Sequence, residues 1–569
     1  MKGLNGARAV VESLKREGVA VVFGYPGGAV LDIYDALLDS GIKHILTRHE
    51  QAAAHAADGY ARASGRTGVV LTTSGPGATN LVTGLMTAYL DSSAIVALTG
   101  QVAAGKLGTD SFQEADITGI TLPAAKHSYL VKATADLPRV VREAFHIAAS
   151  GRHGPVLIDM PRDVLAGPVE RFDYPATVKL RGYKPPARGH RGHPLQVRRA
   201  AQALARANRP VILVGGGVVA SQGSAQALCL AELVQAPVTG TLMGLGGFPG
   251  DHPRWLGMAG MHGTVAANRA LQEADVLLAV GVRFEDRLVG RADSFAPNAT
   301  IIHVDIDAAE VGKNVRVDVP IVGDAGAVLD FIRDCWLEGP ETPDPVARAA
   351  ELRQWLEHIE GWQQEHPLPC GLANGKVKPQ AVIQALHRLA PEATVVTDVG
   401  QNQMWAAQHF RFTRPRTLIT SGGLGTMGFG LPAAVGAQIA RPGEPVVVVC
   451  GDGGFLMNCQ ELATVAEHGL PVKVFVLNNG FLGMVRQWQE AFYAKRYSSV
   501  HLANPDFVLL AQAFGVPAKR VEAPGELEDA VALTLATDGP ALLDCRVDPE
   551  ENVLPFIPPN RRPDAGRTS

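Results

Sequence analysis

The sequence predicts an α/β protein built of three doubly wound domains with mostly parallel sheets. Three observations predict this fold class: short, β-branched apolar runs recur along the 569 residues, helical patterns separate them, and two proline-rich stretches interrupt the alternation. Strands covered by helices on both faces have such continuous apolar runs, and their alternation with helices favours parallel sheets.

The predicted strands fall into three groups along the chain. They are His44–Leu46, Gly68–Thr73, Ala94–Thr99 and Pro155–Met160, then Pro210–Val214, Val276–Val280 and Thr300–Asp305, then Thr394–Asp398, Val446–Cys450, Val472–Leu477 and Ala541–Val547. The proline-containing stretches Ala166–His193 and Leu337–Lys378 are predicted to be linkers. The predicted domains are therefore residues 1–180, 190–340 and 375–550.

Composition excludes several classes of function. The 52 basic and 56 acidic residues give a net charge of −4 without like-charge blocks, so no surface for nucleic acid or a membrane is predicted. No apolar run reaches the roughly 18–20 residues of a membrane span, and the first residues read as an amphipathic helix, not a signal peptide. The six cysteines form no CxxC pair. We expect a cytoplasmic protein with reduced cysteines that acts on small molecules.

The segment around GDG and NN in the last third is the most informative. The strands Val446–Cys450 and Val472–Leu477 flank a predicted helix, Cys459–His468. A right-handed crossover makes such strands parallel and brings their carboxyl ends to one sheet edge, where Asp452 and Asn479 would meet. Carboxylate and amide oxygens are ligands that Mg²⁺ accepts, and glycine backbone can approach phosphate oxygens closely. The pattern therefore predicts a magnesium diphosphate site.

GDG and NN are separated by 24 residues, a spacing that resembles the signature of thiamine-diphosphate enzymes. The resemblance implies that Mg²⁺ is bound by the side chains of Asp452 and Asn479 and by the carbonyl of Phe481. It further implies that thiamine diphosphate is contacted by Gly28, Gln401, Gly425, Met427, Gly453 and Gly454.

In the first third, HILTRHEQAAAHAADGYARASG places Glu50 just after a predicted strand, at the start of an alanine-rich helix. A carboxylate shielded by apolar neighbours has a raised pKa and can share a proton with a ring nitrogen. The alternative is a helix-start carboxylate favoured by the helix dipole. Together with TTSGPGATN, the segment resembles the pyrimidine-binding domain of thiamine-diphosphate enzymes. The resemblance implies that Glu50 hydrogen-bonds the aminopyrimidine and promotes loss of the thiazolium C2 proton.

In the middle third, the strand Pro210–Val214 ends in GGG but lacks a full dinucleotide fingerprint. The later motifs TLMGLGGFP, GMHG, GVRFEDR, HVDID and GD also follow predicted strands or open helices, and each alone reads as a turn. As a set, they resemble the FAD-binding domain of the acetolactate synthase (acetohydroxyacid synthase) catalytic subunits. The resemblance implies FAD contacts from Arg152, Gly215, Gly216, Thr241, Leu242, Met261, His262, Gly281, Arg283, Asp305 and Asp324.

The remaining candidate residues are ordinarily core residues. Met427 lies in SGGLGTMGFG, and Met484 and Trp488 stand four residues apart in a predicted helix, a spacing typical of packing. The resemblance implies instead that Met427 supports the bent cofactor and that Met484 and Trp488 line the site of the second substrate. It also implies that Arg287 and Phe112 contact substrate. Gln113 and Lys126 are implied to line the entrance of the substrate, next to Phe112, and to take part in catalysis.

The likeness extends from about residue 3 to 558 and includes GTDSFQEAD and GMVRQWQ, which most thiamine-diphosphate enzymes lack. Two positions depart from the family pattern. Asn402 stands where a histidine is common, so a titrating group is lost there, and Gly454 stands where a serine is common, so only backbone is available.

The resemblance implies decarboxylation of pyruvate and transfer of the two-carbon unit to pyruvate or 2-ketobutyrate, in branched-chain amino-acid biosynthesis. Thiamine diphosphate, Mg²⁺ and a chiefly structural FAD are the implied cofactors, in a homodimer or dimer of dimers with a separate small regulatory subunit. Pyruvate oxidase is the nearest alternative. Glu50 argues against glyoxylate carboligase, and GVRFEDR argues against an FAD-free synthase. A non-catalytic nucleotide-binding module and an NAD-dependent dehydrogenase are the alternatives from other classes.

Overall fold

A computed structural model describes residues 4–339, 343–369 and 375–558 of the chain. Three six-stranded sheets form its framework, and every strand pair within them is parallel. Helices lie between successive strands in all three, except that β8 and β9 are joined through a 3₁₀ turn and β11 and β12 through a loop. The predicted fold class, three parallel α/β domains, is confirmed.

The first sheet has the strand order β2-β1-β3-β4-β6-β5. Its strands are β1 (Val21–Tyr25), β2 (Lys43–Leu46), β3 (Gly68–Thr72), β4 (Ile95–Gln101), β5 (His127–Leu130) and β6 (Val156–Pro161). Its helices are α1 (Gly6–Arg16), α2 (Leu31–Leu38), α3 (Glu50–Ser64), α4 (Pro76–Thr79), α5 (Val82–Leu90), α6 (Ile117–Ile120), α7 (Leu137–Ala149) and α8 (Arg162–Ala166).

The central sheet has the strand order β12-β11-β10-β7-β8-β9. Its strands are β7 (Pro210–Val214), β8 (Val238–Gly240), β9 (Trp255–Met258), β10 (Val276–Val280), β11 (Thr300–Asp305) and β12 (Val319–Val322). The helices of this part are α9 (Pro194–Arg206), α10 (Gly216–Ala220), α11 (Ser224–Val234), α12 (Val265–Glu273), α13 (Asp286–Val289), α14 (Ala325–Glu338), α15 (Pro345–Glu351) and α16 (Arg353–Glu365).

The third sheet has the strand order β14-β13-β15-β16-β18-β17. Its strands are β13 (Thr394–Thr397), β14 (Leu418–Ile419), β15 (Val446–Gly451), β16 (Lys473–Asn478), β17 (Ala518–Val521) and β18 (Ala541–Arg546). Its helices are α17 (Pro379–Leu389), α18 (Gln401–His409), α19 (Gly430–Ala440), α20 (Asp452–Met457), α21 (Leu462–Glu467), α22 (Gly483–Phe492), α23 (Phe507–Ala513) and α24 (Leu527–Ala536).

The first and third sheets share one topology. Numbered from the first strand of each, both read 2-1-3-4-6-5, whereas the central sheet reads 6-5-4-1-2-3, the order of dinucleotide-binding folds. In both arrangements the order in which the chain adds strands reverses between two neighbouring parallel strands, and ligands bind at the carboxyl ends of those strands. The fold therefore offers one such crevice on each sheet.

Helices α3 and α19 join the first and third parts of the chain. A Cβ added to Gly59 would lie 2.0 Å from the carbonyl oxygen of Ala433, and one added to Gly436 would lie 1.8 Å from that of Ala56. The helix backbones are therefore in direct contact, and one buried apolar cluster extends through both parts. This contact explains why α3 is rich in alanine and glycine.

Two predicted segments differ from the structure. The helix predicted over Cys459–His468 begins earlier, as α20, and is interrupted at Asn458. The side chain of Asn458 donates a hydrogen bond to the carbonyl of Gly428 at 2.7 Å. A 3₁₀ turn, Cys459–Glu461, and then α21 follow the interruption. The stretch Leu337–Lys378 is more than a linker, because α15 and α16 lie within it. Trp355 and Trp362 of α16 are buried in the core beneath the central sheet.

The other linker prediction holds, since no helix or strand follows α8 before α9. Seven strands escaped prediction, namely β1, β5, β8, β9, β12, β14 and β17. Five cysteines are free thiols, and Cys370 lies outside the described residues. No helix in the described part of the chain has the length and apolar character required to cross a bilayer.

Candidate active site

The carboxyl ends of β15 and β16 bring Asp452 and Asn479 together. The two strands pair in parallel with Gly451 opposite Leu477, so Asp452 and the asparagines that end β16 emerge side by side. Asp452 is also the first residue of α20, and Gly451 is its N-cap. The sheet edge that the GDG and NN motifs predict is therefore formed.

Asp452 is almost fully buried, and its carboxylate is held by hydrogen bonds. Oδ2 accepts from the backbone N–H of Gly480 at 2.9 Å and from Nδ2 of Asn504 at 2.6 Å. Burial raises the pKa of Asp452 to about 6, against the opposing effect of these donors. A buried carboxylate that is oriented in this way is suited to binding a cation.

Asn479 is oriented by the neighbouring backbone and by α18. Its Oδ1 accepts from the N–H of Phe481 at 3.0 Å, and its Nδ2 donates to Oε1 of Gln401 at 3.3 Å. Gln401 in turn donates to Oε1 of Gln487 at 3.0 Å. The predicted ligand and the predicted cofactor contact thus belong to one hydrogen-bonded group.

These residues face a cleft with about 450 Å³ of atom-free space, part of it open to solvent. The cleft is lined by Val399, Gly400, Gln401, Asn402, Trp405, Met427, Gly451, Asp452, Gly453, Gly454, Leu477, Asn479, Phe481, Leu482, Gly483, Met484 and Val485. Most of the predicted contacts of the diphosphate half are therefore found in one place.

The residues present fit a metal-bound diphosphate. Oδ1 of Asn402 is a buried acceptor without a hydrogen-bond partner, so it fits a cation or a hydrogen-bond donor in the cleft and not a phosphate oxygen. A Cβ on Gly453 would lie 2.8 Å from Leu482 and 3.4 Å from Cε of Met427, so only glycine leaves this space open. The nearby atoms that could bind a metal are oxygens, the ligands that Mg²⁺ prefers.

The space next to Gly454 is occupied by Asp398, a residue that the sequence motifs did not identify as part of the site. Oδ2 of Asp398 accepts from the N–H groups of Gly428 and Gly430 at 3.0 and 2.9 Å. A Cβ at position 454 would lie only 2.1 Å from Oδ1 of Asp398. The glycine at this position therefore gives Asp398 the space to hold the glycine-rich turn that carries Met427.

Glu50 begins α3 at the carboxyl edge of the first sheet. Its Oε2 accepts from Nδ2 of Asn80 at 3.0 Å, and Oε1 would lie 3.6 Å from a Cβ on Gly77. Both belong to the glycine-rich loop, so the two motifs of the first third meet. Glu50 does not line the cleft that contains Asp452 of the same chain, as far as the described residues show.

Gly28 and Gln113 lie around the same loop. Gly28 is exposed, and its neighbour Ala29 donates to Oγ1 of Thr73 at 3.3 Å. Gln113 has a left-handed backbone conformation, and a Cβ on Gly75 would lie 2.9 Å from it. The predicted cofactor and entrance residues of the first third therefore cluster at one edge.

Phe112 and Lys126 have opposite environments. Phe112 is 87% exposed, which is unusual for a large apolar side chain. Lys126 Nζ donates to the carbonyls of Ile147, Ser150 and Arg152 at 2.5–2.9 Å, and burial lowers its pKa to about 8. These contacts use its protons within its own domain, so a role for Lys126 at the entrance stays a prediction.

Arg287 and Trp488 approach each other from different domains. The Arg287 guanidinium carbon lies 5.3 Å from the centroid of the Trp488 ring, and Nη1 of Arg287 lies 3.9 Å from Sδ of Met261. Trp488 and Met484 both belong to α22. Three of the predicted substrate residues therefore surround the junction between the central and third sheets.

The predicted FAD residues share one position in the central domain, the carboxyl edge of its sheet. Gly215, Thr241, Met261, Gly281, Asp305 and Asp324 lie at or just after the ends of β7, β8, β9, β10, β11 and β12, respectively. Gly216, Leu242, His262 and Arg283 lie within two residues of them. A Cβ on Gly215 would lie 2.1 Å from the carbonyl of Gly281, so backbones approach closely at the switch point between β7 and β10.

Several members of this set already have protein partners. Asp324 caps α14 by accepting from the N–H of Ala327 at 3.2 Å, and Thr241 caps a 3₁₀ turn. Arg152 donates to Glu310 at 2.7 Å, which ties the first domain to the segment after β11. Asp305 is buried, and burial raises its pKa to about 6. Buried Nδ1 of His262 has no hydrogen-bond partner, so the edge fits a polar ligand.

Sequence reasoning missed Asn504 and Glu461. Asn504 lies in a loop 25 residues beyond Asn479, and nothing in its local pattern distinguishes it from a turn residue. Glu461 is fully buried although QELATVAEH reads as a helix with an exposed acidic face. Only the three-dimensional pairing of Asn504 with Asp452, and of Glu461 with Arg48, reveals them.

Comparison with known families gives three matches that together span most of the chain. Residues 4–120 match the N-terminal thiamine pyrophosphate (thiamine diphosphate) binding domain of thiamine pyrophosphate enzymes, residues 197–332 match their central domain, and residues 398–545 match their C-terminal binding domain. The matches follow the order of the three sheets.

Individual relatives match over nearly the whole length. A probable acetolactate synthase large subunit of Methanocaldococcus jannaschii is 50% identical over 98% of this chain and 94% of its own. The acetolactate synthase isozyme 3 large subunit of Escherichia coli is 49% identical, covering 98% and 97%, and a large subunit of Haemophilus influenzae is 46% identical, covering 98% and 96%.

Proposed function

Because this chain belongs to the acetolactate synthase large subunits, a family of thiamine pyrophosphate enzymes, we propose that it decarboxylates pyruvate and transfers the two-carbon unit to a second 2-keto acid. The products are 2-acetolactate from pyruvate and 2-aceto-2-hydroxybutyrate from 2-ketobutyrate. The observation that carries this function is the likeness over 98% of the chain to relatives bearing the synthase name, which favours it over pyruvate oxidase.

Thiamine diphosphate supplies the electron sink that accepts the bonding pair when CO₂ leaves. Asp452, Asn479 and the carbonyl of Phe481 would hold Mg²⁺, and Gly453, Gly454 and Gln401 would contact the diphosphate. The buried, oriented carboxylate of Asp452 supports the metal assignment, and the lack of side chains at Gly453 and Gly454 supports close approach of a diphosphate. Gly425 and Met427 would lie beneath the bend of the cofactor, where Met427 already packs on Gly453.

Glu50 would exchange a proton with the aminopyrimidine nitrogen. Its hydrogen bond from Asn80 leaves Oε1 for that contact, and Gly28 lies at the same edge of the sheet. Because Glu50 and Asp452 of one chain do not share a cleft, each active site would combine Glu50 of one subunit with Asp452 of the other. A homodimer, or a dimer of dimers, is therefore the proposed active form.

FAD would occupy the carboxyl edge of the central sheet. Support comes from the sheet order and from the glycine contact between Gly215 and Gly281, which lets backbone approach a dinucleotide. Asp305 and Asp324 would lie near the ribose or adenine, and Arg152 and Arg283 near the flavin. The overall reaction is redox-neutral, so FAD would serve as a structural element.

Arg287, Trp488 and Met484 would receive the second keto acid, and Phe112, Gln113 and Lys126 would line the entrance. Arg287 supplies a positive charge for a carboxylate, and its position over Trp488 supports a shared pocket. The relatives are named large subunits, which supports a separate small regulatory partner. A cytoplasmic location completes the proposal.

The test is incubation with pyruvate, Mg²⁺ and thiamine diphosphate, with and without FAD, while acetolactate, CO₂ and oxygen uptake are measured. Acetolactate and CO₂ in a 1:1 ratio without oxygen uptake are expected. Glu50→Gln should retain cofactor binding and lose most turnover. Oxygen consumption with bleaching of the flavin by pyruvate would indicate an oxidase and contradict the proposal.

A further inference from the structure

Glu461 is a fully buried carboxylate that lies outside the cofactor cleft. It ends the 3₁₀ turn that follows α20, in the third domain. Its Oε1 accepts from the backbone N–H of Arg48 at 2.8 Å, and its Oε2 accepts from the hydroxyl of Thr464 at 2.7 Å. This side chain therefore binds the backbone of Arg48, two residues before Glu50, in another domain.

The same short stretch holds that peptide at other points. Oγ1 of Thr464 lies 3.3 Å from the carbonyl oxygen of Leu46, and the guanidinium of Arg48 pairs with Glu467 at 2.6 Å. Residues 461–467 thus contact residues 46–49 through both backbone and side chains. The connection from β2 to α3 is consequently fixed by the third domain.

A structural role alone does not explain a buried carboxylate here. The first and third domains are already joined by the apolar contact of α3 with α19, where Gly59 and Gly436 permit backbone contact. Burying a carboxylate is unfavourable unless its donors are well placed, and a packed apolar residue would add adhesion without that cost. What the carboxylate adds is direction, because it fixes the backbone N–H of Arg48, two residues before Glu50.

Arg48 and the next residue, His49, determine where Glu50 begins α3. His49 is the N-cap of the helix and Glu50 is its first residue, so a rotation of the peptides at Arg48 or His49 would swing the Glu50 side chain. The partner of Glu50 on the other side is Asn80, from its own domain. Glu50 is therefore fixed between a loop of the first domain and a carboxylate of the third.

We propose that Glu461 is a positioning residue for Glu50, so that the diphosphate-binding domain of a subunit orients the glutamate at the edge of its pyrimidine-binding domain. The inference rests on the proposed function, in which Glu50 exchanges a proton with the pyrimidine. In the proposed dimer, the domain that binds one cofactor would also orient the glutamate that serves the partner's cofactor.

The test compares Glu461→Ala and Glu461→Gln with the wild type and with Glu467→Ala. Glu467 is a matched control, because it contacts the exposed guanidinium of the same Arg48 and leaves the backbone contacts intact. The readouts are the dissociation constant of Mg²⁺–thiamine diphosphate from calorimetry and the rate at which bound cofactor exchanges its C2 proton for deuterium. The first reports the cradle and the second reports Glu50.

Glu461→Ala should slow C2 exchange roughly 10- to 100-fold, since misplacement by about 1 Å costs about that much. Its cofactor dissociation constant should stay within about twofold of the wild type, because Glu461 does not line the cleft. Glu461→Gln should be intermediate, since its amide oxygen can still accept from Arg48, and Glu467→Ala should exchange at the wild-type rate.

Wild-type exchange in Glu461→Ala, or a loss of cofactor affinity in proportion to the loss of exchange, would overturn the inference. If Glu461→Ala fails to fold, Glu461→Gln provides the same comparison. A Glu50→Gln variant that exchanges at the wild-type rate would overturn the proposed function itself, and the inference with it.

Discussion

Nδ2 of Asn504 donates a hydrogen bond of 2.6 Å to Oδ2 of Asp452 and lies 3.2 Å from Oδ1 of Asn478. Asn478 donates to the buried carboxylate of Asp544 at 2.8 Å. A chain of polar side chains therefore runs from the candidate metal ligand into the sheet. Outer hydrogen-bond partners of this kind fix the orientation of a metal ligand and raise metal affinity.

Asn504→Ala should weaken Mg²⁺ binding in the presence of thiamine diphosphate by roughly 10- to 100-fold, the usual effect of removing such a partner. Titration of Mg²⁺ by calorimetry at saturating thiamine diphosphate measures this. Asn298→Ala, at an exposed asparagine of the central domain, is the matched control and should bind like the wild type. Equal affinity in both variants would show that Asn504 does not orient Asp452.

Asp452→Ala should have a larger effect than Asn504→Ala, because it removes the proposed ligand itself. We expect the loss of Mg²⁺-dependent thiamine diphosphate binding to exceed the roughly 100-fold limit for outer partners. Asp452→Asn retains an acceptor for the N–H of Gly480 but lacks the charge, so it should also bind poorly. Unchanged affinity in Asp452→Ala would remove the metal assignment.

Trp488→Leu should change the choice of second substrate. The ring of Trp488 lies beneath Arg287 at 5.3 Å, and a pocket that distinguishes one methylene discriminates by about 10-fold or more. The ratio of 2-aceto-2-hydroxybutyrate to 2-acetolactate, measured with both keto acids present, should shift by about that factor. Phe492→Leu is the control, since its ring packs 5.4 Å from Trp488 at a partly exposed position. A constant ratio in Trp488→Leu would make Trp488 a packing residue.

Gly454→Ser should destabilise the protein. The new Cβ would lie 2.1 Å from Oδ1 of Asp398, so the buried carboxylate must move away from its donors at Gly428 and Gly430. Overpacking of this kind costs about 1–3 kcal/mol. Urea unfolding measures the change. Gly361→Ser, in a helix with open space around it, should show no such loss.

The sequence predicts best where one physical cause dominates. Strands such as β10 and β15 are buried on both faces, so their continuous apolar runs identify them. The two-residue β14 and the partly exposed β5 carry too few such residues, and only pairing with a neighbouring strand defines them. In α16, Trp355 and Trp362 lie seven residues apart on one helical face, a signal that the surrounding charges and prolines obscured.

The candidate site likewise contains residues that local sequence patterns predict and residues that they do not. Asp452 and Asn479 follow strands directly, so the parallel topology alone places them together. Asn504 reaches Asp452 from a loop, and Glu461 reaches Arg48 across 413 residues of sequence. No local pattern encodes such contacts, because they depend on how whole domains pack.

Asp159 should make the stability of the protein depend on pH in a direction opposite to that of most carboxylates. It is buried on β6, where Oδ1 accepts from Thr99 and Oδ2 from Gln101, and burial raises its pKa from 3.8 to about 7. Between these values the folded state binds more protons than the unfolded chain. Stability therefore falls as pH rises through this window and is constant with respect to this group above about pH 7.

Asp159→Asn has no proton to release and should lack this component. The unfolding free energy of the wild type minus that of the variant should decrease by about 1.4 kcal/mol per pH unit between pH 5 and 6.5. Above pH 7 this difference should become constant. Urea unfolding at a series of pH values measures the difference directly, because other titrating groups are common to both proteins. A difference that is independent of pH would show that Asp159 is ionised in the folded protein throughout this range.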